Sequence, residues 1–216
     1  MTRFRIALAA FVAASFGASL ANAAPEPGAG YALSHVAGFD HISTDKFDYN
    51  LNTGDFTIPG HFTATRDGTD VTADKASGNS KKKMIHAEGN VVVHQNKATP
   101  GAKPSSLEER PSTLTCDKLD IDGTRKIYVA TGNMHFTQEG GREAISDAAT
   151  LDEANHHLHM EGHVHVKNGE QTIDADTLDY DTISGQLIGN GGVTISSPVE
   201  TPAPRAARTA KPKKKR

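Results

Sequence analysis

The chain has 216 residues, of which 36% are hydrophobic and 6% aromatic; it has no tryptophan, one cysteine and a formal net charge of −3. A single cysteine excludes an internal disulfide, and the low aromatic content excludes a core built mainly from large rings. The sequence has no serine nucleophile elbow, no motif of paired acid/base carboxylates and no phosphate-binding glycine loop. We therefore predict no enzymatic activity and no cofactor.

The first 23 residues resemble a cleaved secretory signal. Arg3 and Arg5 form its charged start, residues 6–20 are an apolar run, and Ala21-Asn22-Ala23 is a small-x-small cleavage site. The apolar run is shorter than the roughly 20 residues of a membrane span. A retained N-terminal anchor is the alternative, but the cleavage site favours cleavage after Ala23 and export of the mature protein.

After a lead-in over residues 24–41, with one short strand predicted over Tyr31–Phe39, the chain repeats one pattern five times. An aspartate is followed fifteen residues later by a glycine and two residues further on by an apolar residue. The five sets are Asp45/Gly60/Phe62, Asp74/Gly89/Val91, Asp117/Gly132/Met134, Asp147/Gly162/Val164 and Asp176/Gly191/Val193. Such repetition predicts one supersecondary unit stacked on copies of itself, each burying a face that it cannot bury alone.

Apolar residues alternate with polar ones in every unit, which is the period of a strand with one buried face. A shorter strand is predicted before each long one, and turns rich in Asn, Asp, Gly and Ser separate the two. Glycine falls at one register of the predicted buried face, and we interpret this line of glycines as a crease where long strands pass from one wall into another. The predicted fold is all-β: repeated antiparallel strands, about ten in number, forming an open, creased β-jelly roll.

Two segments lie outside the repeats. Residues 96–112 are predicted to be an exposed loop insertion, and residues 198–216 a disordered basic tail, so the repeated domain is predicted to span residues 42–197. Without the basic residues of the signal and of the tail, the net charge of the body falls from −3 to about −12. Because the protein is predicted to be exported, we expect no nucleic-acid partner. The tail is instead expected to contact anionic membrane lipid, or else only to aid solubility.

Cys116 and the repeat aspartates are the first two candidates for chemistry. Cys116 precedes a repeat aspartate at a position where the other units carry small residues, so we expect a buried, inert thiol. The aspartates suggest calcium binding, but no glycine-rich calcium loop surrounds them. We expect their carboxylates to accept backbone N–H groups at the crease.

A histidine-rich strand is the third candidate. Its outward positions carry four histidines and one glutamate, namely His157, His159, Glu161, His163 and His165. Imidazoles two residues apart on a strand can share a zinc, copper or nickel ion. The alternative is that histidine only fills polar outward positions while its neighbours pack, and on this interpretation we predict no metal site.

The fifth unit resembles a known repeat. Its residues Thr172-Ile173-Asp174-Ala175-Asp176, Leu178, Tyr180-Asp181 and Leu187, with Gly191, Val193 and Ile195, are similar to the OstA-like repeat of the LptA/LptC group of lipopolysaccharide-transport proteins, and so are Ala73-Asp74 and residues 87–93. The resemblance covers about residues 42–196. It implies a creased β-jelly roll whose apolar interior holds acyl chains and which bridges the inner and outer membranes by end-to-end sheet pairing. The cleavage site favours the soluble LptA-like role over the anchored LptC-like one. The insertion, the histidine strand and the tail depart from the family pattern.

We therefore predict a periplasmic carrier or bridge that shields the acyl chains of lipopolysaccharide or a related lipid during transport to the outer membrane. The inward residues predicted to contact lipid are Phe56, Ile58, Phe62, Tyr128, Met134, Phe136, Leu158, Met160, Val164, Val166, Leu187, Val193 and Ile195. An open stack exposes an edge strand at each end, so we expect pairing with other jelly-roll transport proteins and end-to-end self-association. The alternatives are a structural exported β-protein with a closed core and a histidine-based metal-binding protein.

Overall fold

The computed structural model describes residues 39–66, 68–95, 111–152, 154–181 and 183–197, without the side chain of Arg66. Within these ranges the chain forms strands, turns and irregular connections. The predictions for the signal, for most of the lead-in and insertion, and for the basic tail fall outside the described residues.

The strands form one antiparallel sheet of 14 members. They are β1 (His41–Thr44), β2 (Asp48–Tyr49), β3 (Asp55–Ile58), β4 (Phe62–Arg66), β5 (Thr69–Ala73), β6 (Lys75–Asn79), β7 (Met84–Gln95), β8 (Ser112–Asp122), β9 (Ile127–Gln138), β10 (Arg142–Asp152), β11 (His157–Asn168), β12 (Gln171–Asp181), β13 (Leu187–Asn190) and β14 (Thr194–Ser196). This all-β architecture confirms the predicted fold class. Since β8 begins at Ser112, the last residue of the predicted insertion belongs to a strand.

The chain crosses the sheet ten times, and we call each crossing a pass. Six passes are the continuous strands β7 to β12, of 11 or 12 residues each. The other four are pairs of short strands, β1 with β2, β3 with β4, β5 with β6, and β13 with β14, which pair with different halves of their neighbours. The expectation of a shorter strand before each long one is wrong for β8, β10 and β12, because the chain continues through the repeat aspartate as a strand.

Each pass contributes one half to each of two walls. We call the half containing β1, β4, β5 and β14, with the equivalent halves of β7 to β12, the front wall; the half containing β2, β3, β6 and β13 is the back wall. Phe62 and Val71 of the front wall and Phe56 and Ile85 of the back wall line the same small pocket, so the two walls face each other. Their buried side chains form a single hydrophobic cluster.

A β-bulge at the repeat glycine separates the two walls. Between β7 and β8, Gly89 and Asn90 together oppose the single residue Asp117, and the register shifts there. Gly89 has a φ of +82°, and a Cβ built on it would lie only 2.5 Å from Asp74 Oδ2. The crease therefore exists and requires glycine in this unit. Left-handed glycines at Gly132, Gly162 and Gly191 mark it in three others.

The glycines do not belong to the buried face, which corrects one prediction. Gly89, Gly132 and Gly162 are half-buried and Gly191 is exposed, and the missing side chain of each would point at an exposed aspartate. The bulge turns the glycine outward although the alternation of the sequence places it inward. Gly60 differs, since nothing lies within 4 Å of its built Cβ; the first unit breaks its strand there instead.

The repeat aspartates bond to side chains where backbone N–H groups were expected. Asn90 Nδ2 donates to Asp74 Oδ2 over 2.8 Å, and Asn133 Nδ2 donates to Asp117 Oδ2 over 2.9 Å. Each donor is the residue after the repeat glycine. The carboxylate therefore fastens the bulge from outside the sheet.

Carboxylates that accept backbone N–H groups lie at the turns instead. Hydrogen bonds from Asn155 hold the pKa of Asp152 below its ordinary value. Bonds from the Ser184 backbone and side chain lower the pKa of Asp181. Both carboxylates begin a turn, where an Asx side chain satisfies the N–H groups that the turn leaves without backbone partners.

Candidate functional site

Two apolar rows run along the inner faces of the walls, at right angles to the strands. One row of the front wall is formed by residues paired strand to strand, namely Val71, Val93, Leu114, Phe136, Ala144, Val166 and Ile173. The facing row of the back wall consists of Phe56, Gly78, Ile85, Ile121, Tyr128, Leu151, Leu158, Tyr180 and Leu187. The repeats thus produce continuous apolar surfaces along the whole stack.

The structure brings most of the predicted lipid-contacting residues together between the walls. Ten of them are at most 4% exposed: Phe56, Ile58, Phe62, Tyr128, Met134, Phe136, Leu158, Met160, Val164 and Val166. Leu187 is half-buried and packs against the core. Val193 and Ile195 are 45% and 67% exposed, so the structure leaves them out of the cluster, at the C-terminal end of the stack.

The space between the walls is filled by side chains. Met134, Met160 and Leu178 have no exposed surface and lie close to the bulges of the crease. The pocket near Phe39 and Phe56 has a free volume of about 10 Å³, which is about the space of one water molecule. Around the residues that line this pocket, an acyl chain therefore needs the walls to move apart.

Sequence reasoning missed a polar row at the far margin of the front wall. Four buried polar residues lie there at 4–9% exposure, namely Thr69, Gln95, Ser112 and Gln138. Strand pairing joins them in this order and then adds Arg142. The signal in the sequence is a polar residue two positions beyond the last apolar inward residue of each strand, as Gln138 follows Phe136.

The histidines of β11 all face outward, as predicted, and each pairs with a carboxylate of a neighbouring strand. The distances are 3.2 Å for His157–Asp179, 2.7 Å for His159–Asp179, 2.9 Å for His163–Asp147 and 2.6 Å for His165–Asp174. In the ranges that the structure describes, no group of three or more His, Cys, Asp or Glu side chains is arranged to hold a metal ion. Each imidazole is therefore held against a carboxylate across the strands, in the kind of side-chain pair that stabilises a sheet.

Cys116 is buried in the front wall, as predicted. Burial, together with the negative charge of the neighbouring Asp117, raises the pKa of its thiol to about 12. The thiolate that nucleophilic chemistry requires is therefore scarce at neutral pH.

The two ends of the sheet are unlike. At the N-terminal end, Phe39 is 5% exposed, and Ile42, Phe47 and Tyr49 pack against the core. At the C-terminal end β13 and β14 pair only with β12 among the described strands, and Val193 and Ile195 are 45% and 67% exposed. Within the described ranges, the apolar interior is therefore uncovered at the C-terminal end.

Comparison with known proteins gives the chain a context. The model of the family described as LptA/(LptD N-terminal domain) LPS transport protein matches residues 70–186, which is more than half of the chain. Among solved structures, the crystal structure of LptH, the LptA homologous periplasmic component of the lipopolysaccharide transport device from Pseudomonas aeruginosa, aligns with a TM-score of 0.42 and 12% identity over 74% of this chain and 94% of that one. No curated protein matches the chain. Across the described ranges, no helix has the length and apolarity needed to cross a membrane.

Proposed function

The chain belongs to the family of LptA and LptD N-terminal-domain LPS transport proteins, and we propose that it is a periplasmic, non-enzymatic member that carries lipopolysaccharide or a related lipid between its two walls. The observation that supports this proposal is the pair of apolar rows, which continue through every repeat without a polar interruption. A transported acyl chain would meet similar surface at each step along the stack, so it could advance without a large barrier.

The energy for separating the walls comes from the lipid itself. Each methylene transferred from water into the apolar interior contributes about 0.8 kcal/mol. An acyl chain inserted between the rows would replace contacts such as those of Phe136 and Leu158 with contacts of the same apolar kind. Separating the walls loses van der Waals contacts between their side chains, but the inserted acyl chain replaces many of these contacts. The two walls are joined only along the crease, where each strand bends at its bulge. The front and back walls can therefore move apart about this line.

Crosslinking in cells tests the carrier directly. A photo-crosslinking residue at Phe136 or Val164, both 2% exposed in the interior, is expected to capture a multi-acyl lipid. The same residue at Thr137 or His165, the next positions on the same strands but on the outer face, is the matched control. Equal capture from both faces, or none from the interior, would support the structural β-protein with a permanently closed core.

We further propose that copies of the chain, or other jelly-roll transport proteins, join end to end. Leu187 of the back wall and Ile195 of the front wall place the last members of the apolar rows at the uncovered C-terminal edge. Pairing of that edge with the β1/β2 edge of another copy would continue both rows from one molecule into the next. A bridge of this kind leaves the acyl chains covered throughout their path. Contact of the basic tail with anionic membrane remains a separate prediction.

A further inference from the structure

The polar row of the front wall consists of Thr69, Gln95, Ser112, Gln138 and Arg142. These are the last inward residues of β5, β7, β8, β9 and β10 on the side away from the crease. One step closer to the crease, the same strands carry the apolar row of Val71, Val93, Leu114, Phe136 and Ala144. The change from apolar to polar therefore occurs at the same depth on five neighbouring strands. The back wall has no equivalent among its described strands, since its row at the turn end contains Ile121, Tyr128 and Leu158.

Burial of this row is costly unless a partner satisfies it. Four of the six buried polar residues of the described chain belong to the row. Arg142 Nη1 donates to Gln138 Oε1 over 3.2 Å, but the Ser112 hydroxyl is buried without a hydrogen-bond partner. A buried polar group without a partner costs about 1–3 kcal/mol. An apolar side chain in place of Ser112 would be more favourable for a core that only has to be stable.

The row also lies at the correct margin to meet the polar part of an amphiphile. Each strand bends at its bulge, so the turn ends of the two walls lie on the side away from the crease. From Gln138 back to Gly132 the strand covers about 20 Å at about 3.3 Å per residue. Acyl chains directed toward the crease would fill this apolar depth, and the groups that join them to the head would then lie beside the row.

We propose that the polar row binds the linkage region of a multi-acyl, phosphorylated lipid and sets the depth to which its chains insert. This inference rests on the proposed carrier function. The amides of Gln95 and Gln138 and the hydroxyl of Ser112 donate hydrogen bonds to ester or amide carbonyls of the lipid. The Arg142 guanidinium pairs with a phosphate, for which its planar geometry is suited. Ligand binding thus supplies the partner that the buried Ser112 hydroxyl lacks.

The test separates binding of the linkage region from binding of apolar chains. The double variant Ser112→Ala/Gln138→Leu removes two polar groups without adding charge, and Thr137→Val, on the outer face beside Gln138, is the control. Each full-length protein is titrated with purified lipopolysaccharide and, separately, with diphenylhexatriene, an uncharged apolar fluorophore. We expect the double variant to lose about fivefold or more in affinity for lipopolysaccharide, the value of one lost hydrogen bond of about 1 kcal/mol, and to bind diphenylhexatriene as the parent does.

Thermal unfolding of the single variant Ser112→Ala completes the test, since removing a buried hydroxyl that has no hydrogen-bond partner should keep or raise Tm. Unchanged affinity for lipopolysaccharide in the double variant would overturn the proposal. So would an equal loss for both ligands, or a lowered Tm, because either would show that the row only supports the fold. A parent protein that binds neither ligand would instead refute the carrier function itself, and this inference with it.

Discussion

Replacement of Gly162 by valine tests the crease most directly. Gly162 has a φ of +74°, and a Cβ at this position would overlap the Asp147 carboxylate. A left-handed backbone costs an L-residue about 1–2 kcal/mol, and more when the side chain is β-branched. Displacing Asp147 also disturbs its 2.9 Å contact with His163 Nδ1. We therefore expect the free energy of unfolding to fall by about 3 kcal/mol, at the upper end of ordinary single substitutions.

The control for this prediction is Gly60→Val. Gly60 occupies the equivalent place in the first unit, but nothing lies within 4 Å of its built Cβ and its φ is not left-handed. Urea unfolding followed by circular dichroism should show a clear fall in midpoint for Gly162→Val and little change for Gly60→Val. For a domain of this size, about 3 kcal/mol corresponds to roughly 6–12 °C in Tm. Equal midpoints for the two variants would refute the strained, aspartate-fastened crease.

Three further predictions follow from the edge, the turns and the core. Ile195→Lys at the exposed C-terminal edge should weaken the concentration-dependent association that sedimentation measures. Ile145→Lys, on an exposed outer face within the sheet, should leave that association unchanged. A parent protein that stays monomeric at high concentration and binds no jelly-roll partner would exclude the bridge. The pKa values of Asp152 and Asp181 are lowered in the folded protein. Both carboxylates therefore stabilise the fold above the unfolded pKa of about 4, and this stability is lost as the pH falls through the folded pKa values. The urea midpoint should decline below about pH 4, and it should decline less in the double variant Asp152→Asn/Asp181→Asn. Cys116, with its pKa raised to about 12, should react with a thiol reagent at pH 8 only after unfolding, and rapid labelling of the native protein would contradict its burial.

The repeat and the strand alternation could be predicted because both depend on local chain geometry. Successive side chains of a strand point to opposite faces, so Leu158, Met160, Val164 and Val166 could be assigned inward positions from spacing alone, and all four are buried. The constant distance from aspartate to glycine likewise predicted the crease. The outward face of β11 was predicted on the same basis, since its histidines alternate with these buried residues.

The simple alternation of side chains gave a wrong prediction where a β-bulge adds one residue to a strand. Two residues opposing one at Gly89 and Asn90 turn the glycine toward the outer aspartate, although simple alternation places it in the core. The partners of the repeat aspartates were missed for the same reason. Asn90 and Asn133 take left-handed φ values of 47° and 49°, and this conformation brings their amides to Asp74 and Asp117.

The all-β class, the repeat and most of the inward apolar residues could be predicted from the sequence, because each depends on neighbours in the chain. The filling of the interior, the exposed C-terminal end of the described residues and the polar row of the front wall depend on contacts between strands that are distant in the sequence. Within the repeat, Thr69, Ser112 and Arg142 each lie five residues before the aspartate, and Gln95 and Gln138 each lie six residues after the glycine. They become neighbours only when strand pairing fixes the register of five strands, and that register is set by the packing of the walls against each other.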